Sequence, residues 1–464
     1  MSRLVIKFGG TSVGTTDALS RAATLSADLH AAGHELVVVT SAMSGVTDQL
    51  LGAAQAAAAG RIRDTHAAVA ALRQRHLDTA RALVARIDAD TVDVIEQRLA
   101  DLARLCEAVA VLGEATPRAL DAVASMGERL SVVLLAAAIR ERGVPAAAVD
   151  GADLVRTDAV HQAAAPDLAE TRRLSQAVLR PLCDARTVPV VTGFIGARAD
   201  GVVTTLGRGG SDYSATILGA AIDADEVWIY TDVDGVLTAD PRVVPEARTL
   251  DVLSFREMSE LAYFGAKVLH PKTILPALER GIPLRIKNTF NPAHPGTLVV
   301  AQGTGAGALK GVTAIERQSL VTIEGRGMLG VPGIAARAFG AVARTGTSVP
   351  MISQASSEQS ICFVVPQSAA PRVVGEIEQA FERELSRGDI ERIWSLDGVV
   401  VLTVVGAAIQ RIPGVAGRVF GAVGDAGANI IAIAMGSSEC SISLVVAAGD
   451  AHAALRSVHR LLES

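Results

Sequence analysis

A glycine-rich segment with two hydroxyl side chains follows the first apolar run of the chain. Residues 3–8 predict a buried strand, and the four residues after it are Gly9, Gly10, Thr11 and Ser12. Backbone N–H groups after a strand can hold phosphate oxygens, and glycine permits the close approach. Lys7 adds a positive charge, but it precedes the glycines, unlike the lysine of the Walker motif. The segment predicts a polyphosphate site, and a simple tight turn is the alternative.

A second glycine loop combines a free cation with an acid. Residues 207–210 read Gly-Arg-Gly-Gly, and Asp212 stands at the start of a predicted helix. An arginine among glycines has little to pack against, so its guanidinium is available to a carboxylate. Asp212 could bind a ligand or could only cap the helix. A third polar turn, Thr231-Asp232, follows another apolar run, although a turn alone would explain the residues there.

These segments need a scaffold that brings strand ends together. Short apolar runs alternate with helical patterns through the first 300 residues, which predicts an α/β sandwich with a largely parallel sheet. Ligands bind such sheets at the carboxyl ends of the strands. The predicted strands are residues 3–8, 35–40, 145–149, 189–192, 226–231 and 283–287. The predicted helical stretches are residues 60–112, 126–141, 212–222 and 254–280.

Five motifs in this order resemble the aspartokinase branch of the amino-acid-kinase family, most closely its threonine-responsive members. The resemblance implies a three-layer αβα sandwich with a largely parallel sheet, then two ACT-like βαββαβ ferredoxin-like modules. It implies no fused homoserine dehydrogenase, for which the chain has no room. The motifs are residues 7–12, 125–129, 207–212, 231–235 and 265–271.

The resemblance implies transfer of the γ-phosphoryl group of ATP to the side-chain carboxylate of L-aspartate. This is the first step toward lysine, methionine and threonine. Lys7 would bridge the transferring group, Arg208 would hold the α-carboxylate, and Glu128 would hold the ammonium group. Asp212 would serve the ammonium group or the metal-bound phosphates, and Ser41 and Thr47 would lie in a loop that closes over the substrate.

The resemblance also implies a nucleotide site and Mg²⁺. A carboxylate acceptor is already ionised at pH 7, because its reference pKa is about 4, so no general base is needed. Mg²⁺ would be held mostly by phosphate oxygens and water, without a dedicated metal-binding residue. The implied nucleotide contacts are Lys7, Gly9, Gly10, Thr11, Ser12, Thr231, Asp232, Leu237, Arg242, Lys267 and Val268.

The C-terminal part of the chain is duplicated after a glycine-rich joint at residues 303–308. Residues 331–335, 339–342 and 356–358 recur 81 positions later without a gap. The predicted domains are a kinase domain at 1–302 and ACT domains at 312–392 and 396–464. By resemblance, Gln354, Ser357 and Met435 are regulatory. Methionine has no donor comparable to glutamine, so threonine, lysine, both or neither remain open as effectors.

Residues 325–330 fit the GxGxxG pattern of dinucleotide-binding turns. However, Gln354 stands where the following strand would need an acidic residue, and the second copy lacks the glycines. A dinucleotide site is therefore not predicted here.

Composition excludes some classes of protein. The net charge of −6 with interspersed signs argues against nucleic-acid binding. The four cysteines form no CxxC pair, no signal peptide is evident, and the longest apolar run, residues 130–139, is too short for a membrane span. We expect a cytoplasmic protein, without a membrane partner, that forms a homodimer or a dimer of dimers.

Three alternatives remain open at this point. The chain could be a kinase for glutamate or acetylglutamate, although the Glu128 and Arg208 pair and the duplicated module favour aspartate. It could be an amino-acid sensor with an inactive kinase domain, although Lys7, Arg208 and Asp212 are all present. It could also be an aspartate kinase of a dedicated osmolyte or natural-product pathway.

Overall fold

The computed structural model describes residues 2–85, 88–265, 269–303, 309–354, 359–407, 409–435 and 440–462. They form two compact units, and each is described by itself. The first unit is Met1–Val236, Asp251–Phe255 and Val268–Gly303, and the second is Leu237–Leu250, Arg256–Lys267 and Thr304–Ser464. Two short stretches of the predicted kinase domain therefore group with the C-terminal region. The domain boundaries at 302, 312, 392 and 396 stay predictions.

The first unit is built on an eight-stranded sheet. Its order is β3-β4-β2-β1-β7-β9-β10-β8, and β5 and β6 form a separate hairpin. Neighbouring strands are parallel except β9 and β10, so the largely parallel sheet is confirmed. The strands are β1 (Arg3–Phe8), β2 (Glu35–Thr40), β3 (Ala146–Val149), β4 (Val188–Thr192), β5 (Ile195–Ala197), β6 (Val203–Thr205), β7 (Glu226–Thr231), β8 (Val252–Ser254), β9 (Leu284–Asn288) and β10 (Thr297–Val300).

Helices cover both faces of this sheet, which is why its strands are continuous apolar runs. Alternate residues of β1 point to opposite faces. Ile6 and Phe8 join the core formed with α1 to α5, whereas Val5 lies on the face covered by α7. The helices of this unit are α1 (Thr16–Ala31), α2 (Val46–Ala58), α3 (Ile62–Leu83), α4 (Ala89–Leu112), α5 (Pro117–Glu141), α6 (Leu168–Asp184), α7 (Gly210–Ile222) and α9 (Leu275–Arg280). Helix α8 (Phe255–Tyr263) belongs from Arg256 onward to the second unit.

Helix α5 begins nine residues before its predicted start. The Thr116 side chain accepts a hydrogen bond from the Ala119 amide, and Pro117 occupies the first turn, where it needs no partner. This helix is long and apolar enough to cross a bilayer, but 89% of its most apolar window is buried inside the protein. It is therefore the core helix of the first unit.

The predicted strands of the first unit are confirmed, but the single helical stretch at 254–280 is wrong. The structure has α8, a 3₁₀ turn at Pro271–Ile274 and the short helix α9 in its place. Two prolines enforce the change, because each lacks the N–H that a continuous helix would need.

The second unit is built on a six-stranded antiparallel sheet of order β12-β13-β11-β14-β16-β15. Its strands are β11 (Gly311–Glu324), β12 (Met351–Gln354), β13 (Ser360–Pro366), β14 (Arg392–Val405), β15 (Ile430–Ala434) and β16 (Ser441–Ala447). Its helices are α10 (Ile334–Arg344), α11 (Ala370–Ala380), α12 (Glu382–Arg387), α13 (Val415–Asp425) and α14 (Ala451–His459).

The two copies of the repeat share this sheet through their long first strands. The first part of β11 pairs with the last part of β14, from Gly311 opposite Val405, and the remainder pairs with the first part of β14, up to Glu324 opposite Arg392. Gly398 has a left-handed backbone at the crossover, with φ +69°. Each copy therefore lends half a strand to the other, a point that the sequence left open.

Residues 237–250 pack on the second copy of the repeat. The carbonyl of Thr238 accepts a hydrogen bond from the Val312 amide at 2.8 Å. The Thr238 hydroxyl lies 2.9 Å from His459 Nε2 on α14. Ala239 and Val244 join the core of that copy. This explains why the stretch separates from the first unit.

The glycines of the GxGxxG match have a structural role. A Cβ on Gly325 would lie 2.4 Å from the Asp389 carbonyl, and a Cβ on Gly327 would lie 2.6 Å from the Asp389 Cα. Both glycines are needed because the chain around residue 389 packs directly against them.

Candidate functional site

The candidate site lies at the carboxyl ends of β1, β2 and β7. The chain leaves β1 toward β2 on one side of the sheet, and it leaves β7 toward β9 on the other. Ligands of parallel sheets bind where the strand order reverses in this way. Two of the predicted motifs, residues 7–12 and 231–235, therefore meet at one edge with Ser41 after β2, although nothing in the local sequence of each motif indicates the others.

Lys7 and Asp212 form a buried ion pair. Strand alternation places Lys7 on the face covered by α7, and Asp212 lies in the first turn of that helix. Lys7 Nζ is 2.6 Å from Asp212 Oδ1, and the two side chains are 10% and 14% exposed. A Cβ on Gly9 would lie 2.5 Å from Lys7 Nζ. Gly9 therefore makes room for the lysine.

The phosphate-type loop after β1 is a 3₁₀ turn, Gly10–Ser12. Gly10 has φ +54°, and its amide donates to Ser41 Oγ at 3.2 Å, which joins the loop to the end of β2. Thr11 is exposed. Ser12 is buried and donates to the Tyr230 carbonyl, while Thr289 Oγ1 lies 2.7 Å from its hydroxyl. In this structure Ser12 ties the loop to β7, and its phosphate contact stays a prediction.

Glu128 is a buried carboxyl group on α5. It is 4% exposed, and Oε1 accepts a hydrogen bond from the Ala42 amide at 3.2 Å. Its Oε2 has no hydrogen-bond partner among the described residues. Burial raises the pKa of Glu128 to about 8, against the opposing effect of the Ala42 amide. A Cβ on Gly127 would lie 2.8 Å from the Ala42 Cβ, so this glycine lets the two segments approach.

The remaining residues predicted to bind aspartate lie on loops and helix starts. Arg208 is exposed and has no acidic partner among the described residues. Thr47 is half-buried in the first turn of α2, which begins after Gly45 with φ +74°. The structure brings Lys7, Asp212 and Ser41 together, and it leaves the Arg208 guanidinium in solvent.

The turn after β7 is held by residues that the sequence analysis missed. The Thr231 hydroxyl donates to Asp232 Oδ1 at 3.1 Å, and Asp232 itself is exposed. Asp234 accepts hydrogen bonds from Asn288 at 2.9 Å and from Asn291 at 3.0 Å. Asn288 ends the neighbouring strand β9 and Asn291 follows it, so only knowledge of the strand order could have identified them.

Four predicted nucleotide contacts belong to the second unit or lie outside the described residues. Leu237 and Arg242 belong to the second unit. Leu237 pairs with Thr249 in a β-bridge, and Arg242 is bound to Asp240 at 2.6 Å. Lys267 and Val268 lie outside the described residues.

The predicted regulatory residues lie in the second unit. Gln354 ends β12 and lines a cavity of about 280 Å³, together with Ile361 and the turn of residues 330–335 that leads into α10. The N–H groups at a helix start attract carboxylates. Met435 follows β15 and is 49% exposed. Ser357 lies outside the described residues.

Two family models divide the chain as the architecture suggests. The model of the amino acid kinase family matches residues 2–288, and an ACT domain model matches residues 321–381 and 402–462. The chain is thus built as a kinase domain of this family followed by a pair of ACT domains.

Relatives extend along the whole chain. A bifunctional aspartokinase/homoserine dehydrogenase of Zea mays is 37% identical over 98% of this chain and 50% of the relative. The lysine-sensitive aspartokinase 3 of Escherichia coli is 34% identical over 99% of both chains. Crystal structures of E. coli aspartokinase III, with aspartate and ADP or with lysine and aspartate, match with TM-scores of 0.81 and 0.82 at 31% and 32% identity. Each covers 99% of this chain and 99% or more of its own.

The chain belongs to the amino acid kinase family, in its aspartokinase branch. It spans about half the length of the bifunctional plant relatives that it matches.

Proposed function

We propose that this protein is an ATP:L-aspartate 4-phosphotransferase that forms 4-phospho-L-aspartate, the first step of lysine, methionine and threonine synthesis. The observation that carries the proposal is Glu128, a buried carboxyl group with one oxygen lacking a partner among the described residues. An amino acid's ammonium group would satisfy that oxygen and favour the ionised form. The E. coli aspartokinase III structure with aspartate and ADP supports the same substrate class.

The chemistry needs alignment and charge neutralisation, because the acceptor carboxylate is already ionised. Glu128 holds the ammonium group, and Arg208 swings from solvent onto the α-carboxylate, which its planar guanidinium binds through two hydrogen bonds. The side-chain carboxylate then faces the γ-phosphate. Lys7, aligned by Asp212 at 2.6 Å, neutralises the charge that develops on the transferring group.

The nucleotide occupies the turns after β1 and β7 in this proposal. Gly10 and Thr11 are exposed beside Lys7, as a polyphosphate requires, and Asp232 is exposed at the next strand end. When bound with ATP, Mg²⁺ neutralises the β- and γ-phosphate oxygens. Its ligands would be phosphate oxygens and water, and no residue of this chain is assigned to the metal.

Trapping of the acyl phosphate with hydroxylamine tests the activity. With ATP, Mg²⁺ and L-aspartate, we expect aspartate-dependent ADP release and a hydroxamate. Turnover with glutamate or acetylglutamate but not aspartate would assign another substrate to the same fold. No turnover with any of them would indicate an amino-acid sensor with an inactive kinase domain.

We further propose that the cavity beside Gln354 binds an effector amino acid. Its carboxylate would meet the start of α10, and the Gln354 amide would recognise its polar groups. The E. coli relative is lysine-sensitive, and its structure with lysine supports an amino-acid effector. Met435 occupies the equivalent place in the second copy without a comparable donor, so binding there is expected to be weaker.

Inhibition curves with threonine and with lysine test the effector site. We expect Gln354→Ala to weaken inhibition by the active effector at least about tenfold, since the polar contact of the Gln354 amide with the effector is lost. Met435→Ala is the matched control and should change it less than about threefold. Equal effects of both substitutions would contradict the asymmetry. Identical curves with and without either amino acid would remove the regulatory proposal.

The assembly and the location of the protein complete the proposal. We propose a homodimer or a dimer of dimers, because β12 and β15 end the six-stranded sheet and neither has a second strand hydrogen-bonded to it among the described residues. Light scattering that gives a monomer at all concentrations would remove this part. A cytoplasmic location stays a prediction.

A further inference from the structure

Asp121 is a buried carboxylate for which the proposed chemistry has no use. It lies on α5 and is 1% exposed. It accepts hydrogen bonds from Thr205 Oγ1 at 2.7 Å and from the Gln162 amide at 3.2 Å, and its Oδ2 lies 2.6 Å from His161 Nδ1. A buried carboxylate is costly unless it is well paired, and apolar residues in its place often stabilise a protein as much. Three donors from two separate segments therefore point to a role in holding those segments.

Both segments support the glycine loop that carries Arg208. Thr205 ends β6, two residues before Gly207. The carbonyl of Gln162 lies against Gly207, where an added Cβ would come within 2.8 Å of it. The Ala164 amide also donates to the Thr205 carbonyl at 3.0 Å. One carboxylate thus joins the hairpin strand and the 161–164 segment at the base of the loop.

The same helix carries the other end of the substrate site. Asp121 and Glu128 are seven residues apart on α5, so they lie on the same side, about 10 Å apart along the axis. Glu128 is the proposed ammonium anchor, and Arg208 is the proposed carboxylate anchor. The distance between the two anchors therefore depends on α5, Asp121 and Thr205, which connect Glu128 to the loop that carries Arg208.

We infer that Asp121 is a positioning residue that sets the place of the Arg208 loop relative to Glu128, and so selects an acceptor of aspartate's length. The inference rests on the proposed function. The inference predicts that loss of Asp121 changes the KM for the amino acid and not the KM for ATP. Among the described residues, Asp121 forms no hydrogen bond with the turn after β1 or with the turn after β7.

Steady-state kinetics of Asp121→Asn, Asp121→Ala and Thr205→Val test the inference. We expect Asp121→Ala to raise the KM for aspartate about 30-fold to 100-fold, with the KM for ATP within about threefold, because a misplaced anchor weakens only the acceptor. Asp121→Asn keeps the shape and one acceptor oxygen, and should cost about tenfold. Selectivity for aspartate over glutamate should fall with each.

Thr157→Val is the matched control. Thr157 Oγ1 lies 2.7 Å from Thr204 Oγ1 in the same hairpin region, without contacting Asp121. It should leave both KM values within about threefold of wild type. If the two KM values rise together in the Asp121 variants, or only the melting temperature falls, the positioning role is wrong.

Hydrogen exchange separates this inference from the proposed function. We expect amides 205–210 to lose protection at least about tenfold in Asp121→Asn and Thr205→Val but not in Thr157→Val. Wild-type protein that fails to phosphorylate aspartate would overturn the proposed function. Unchanged exchange at 205–210 in both test variants would overturn the positioning role, whatever the activity.

Discussion

Two sets of charged groups in the first unit, which we call the α5 wall and the open loops, differ in how deeply they are buried. The α5 wall consists of Asp121 and Glu128, two carboxyl groups that are 1% and 4% exposed. The open loops are residues 9–12, 207–210 and 231–235, where Thr11, Arg208 and Asp232 face solvent. The wall is assembled before any ligand arrives, whereas the loops leave their charged groups in water.

The difference has an energetic reason. A buried carboxyl group is desolvated, which shows in the raised pKa of Glu128, and it therefore discriminates strongly for a cation that fits. An exposed arginine has little effect on the stability of the free protein. Its ion pair with a ligand contributes little binding energy until the ligand excludes water. Specificity for the amino acid should reside in the wall, and tolerance to substitution should reside in the loops.

Loss of Lys7 should have the largest effect, because Lys7 is a buried cation on β1, directly beside the open loop of residues 9–12. We expect Lys7→Met to lower kcat about 10³-fold, since Lys7 is the cation that the proposal assigns to the transferring phosphoryl group. The KM for aspartate should change little. Lys287→Met is the matched control: Lys287 is also buried near a strand end, but it bonds to the His294 carbonyl at 3.0 Å.

The control should lower stability and keep kcat within about threefold. A similar loss of kcat in both variants would mean that the lysines act through folding. Rapid-quench measurement of the first turnover separates the chemical step from product release.

Loss of the Glu128 charge should remove the specificity for the amino acid that we assign to the α5 wall. Glu128→Gln keeps the shape but removes the partner of the ammonium group, and breaking a buried charge pair costs about 2–5 kcal/mol. We expect the KM for aspartate to rise about 100-fold, with little change for ATP. Glu170→Gln, in the first turn of α6, where Glu170 pairs locally with Arg173, should leave both unchanged. An unaltered KM for aspartate in Glu128→Gln would place the ammonium group elsewhere.

The pH dependence of kcat/KM for aspartate is a second test of the role of Glu128. Its pKa is raised to about 8, so binding of an ammonium group requires loss of a proton below that pH. The kcat/KM for aspartate should rise up to about tenfold per unit between pH 6 and 8 and then level. Glu128→Gln should flatten the profile. A wild-type profile that is already flat in this range would contradict the raised pKa.

The stability of the folded protein should fall over the pH range in which kcat/KM for aspartate rises. The folded protein holds a proton on Glu128 that the unfolded chain has lost above the ordinary pKa of 4.5. The free energy of unfolding should therefore fall as the pH rises from 4.5 to about 8, relative to the Glu128→Gln variant. Urea denaturation of both proteins at several pH values measures the difference.

The sequence predicted the strands of the first unit well, because each strand depends on a local pattern. A lysine within β1 and glycines after it predict a polyphosphate site from local sequence alone, and that role stays a prediction. The role of Gly9 was less evident, because it accommodates Lys7 itself, and Ser12 proved to be a buried tie to β7.

Residues that act across the fold could not be predicted in this way. Asn288 supports the turn after β7, and Asp121 holds Thr205, 84 positions away. Neither has a local signal, because the partner is set by strand order and helix packing. The pairing of β11 with β14 between the two ACT copies could not be predicted for the same reason, since an 81-residue repeat shows duplication but not the pairing between copies.

The smallest expected effect comes from Arg242, which the family resemblance assigns to the nucleotide. Its guanidinium is 82% exposed and is bound to Asp240 in the same turn, so its net attraction for a phosphate is reduced. Arg242→Ala should raise the KM for ATP only about twofold to fivefold, as for a screened surface charge. The effect should shrink further at 0.5 M salt, where the screening length falls to about 4 Å. A rise comparable to that caused by loss of a buried group would show that the Asp240 pair opens when the nucleotide binds. Exposed cations would then contribute as much to binding as the α5 wall, and the contrast between the two regions would fail.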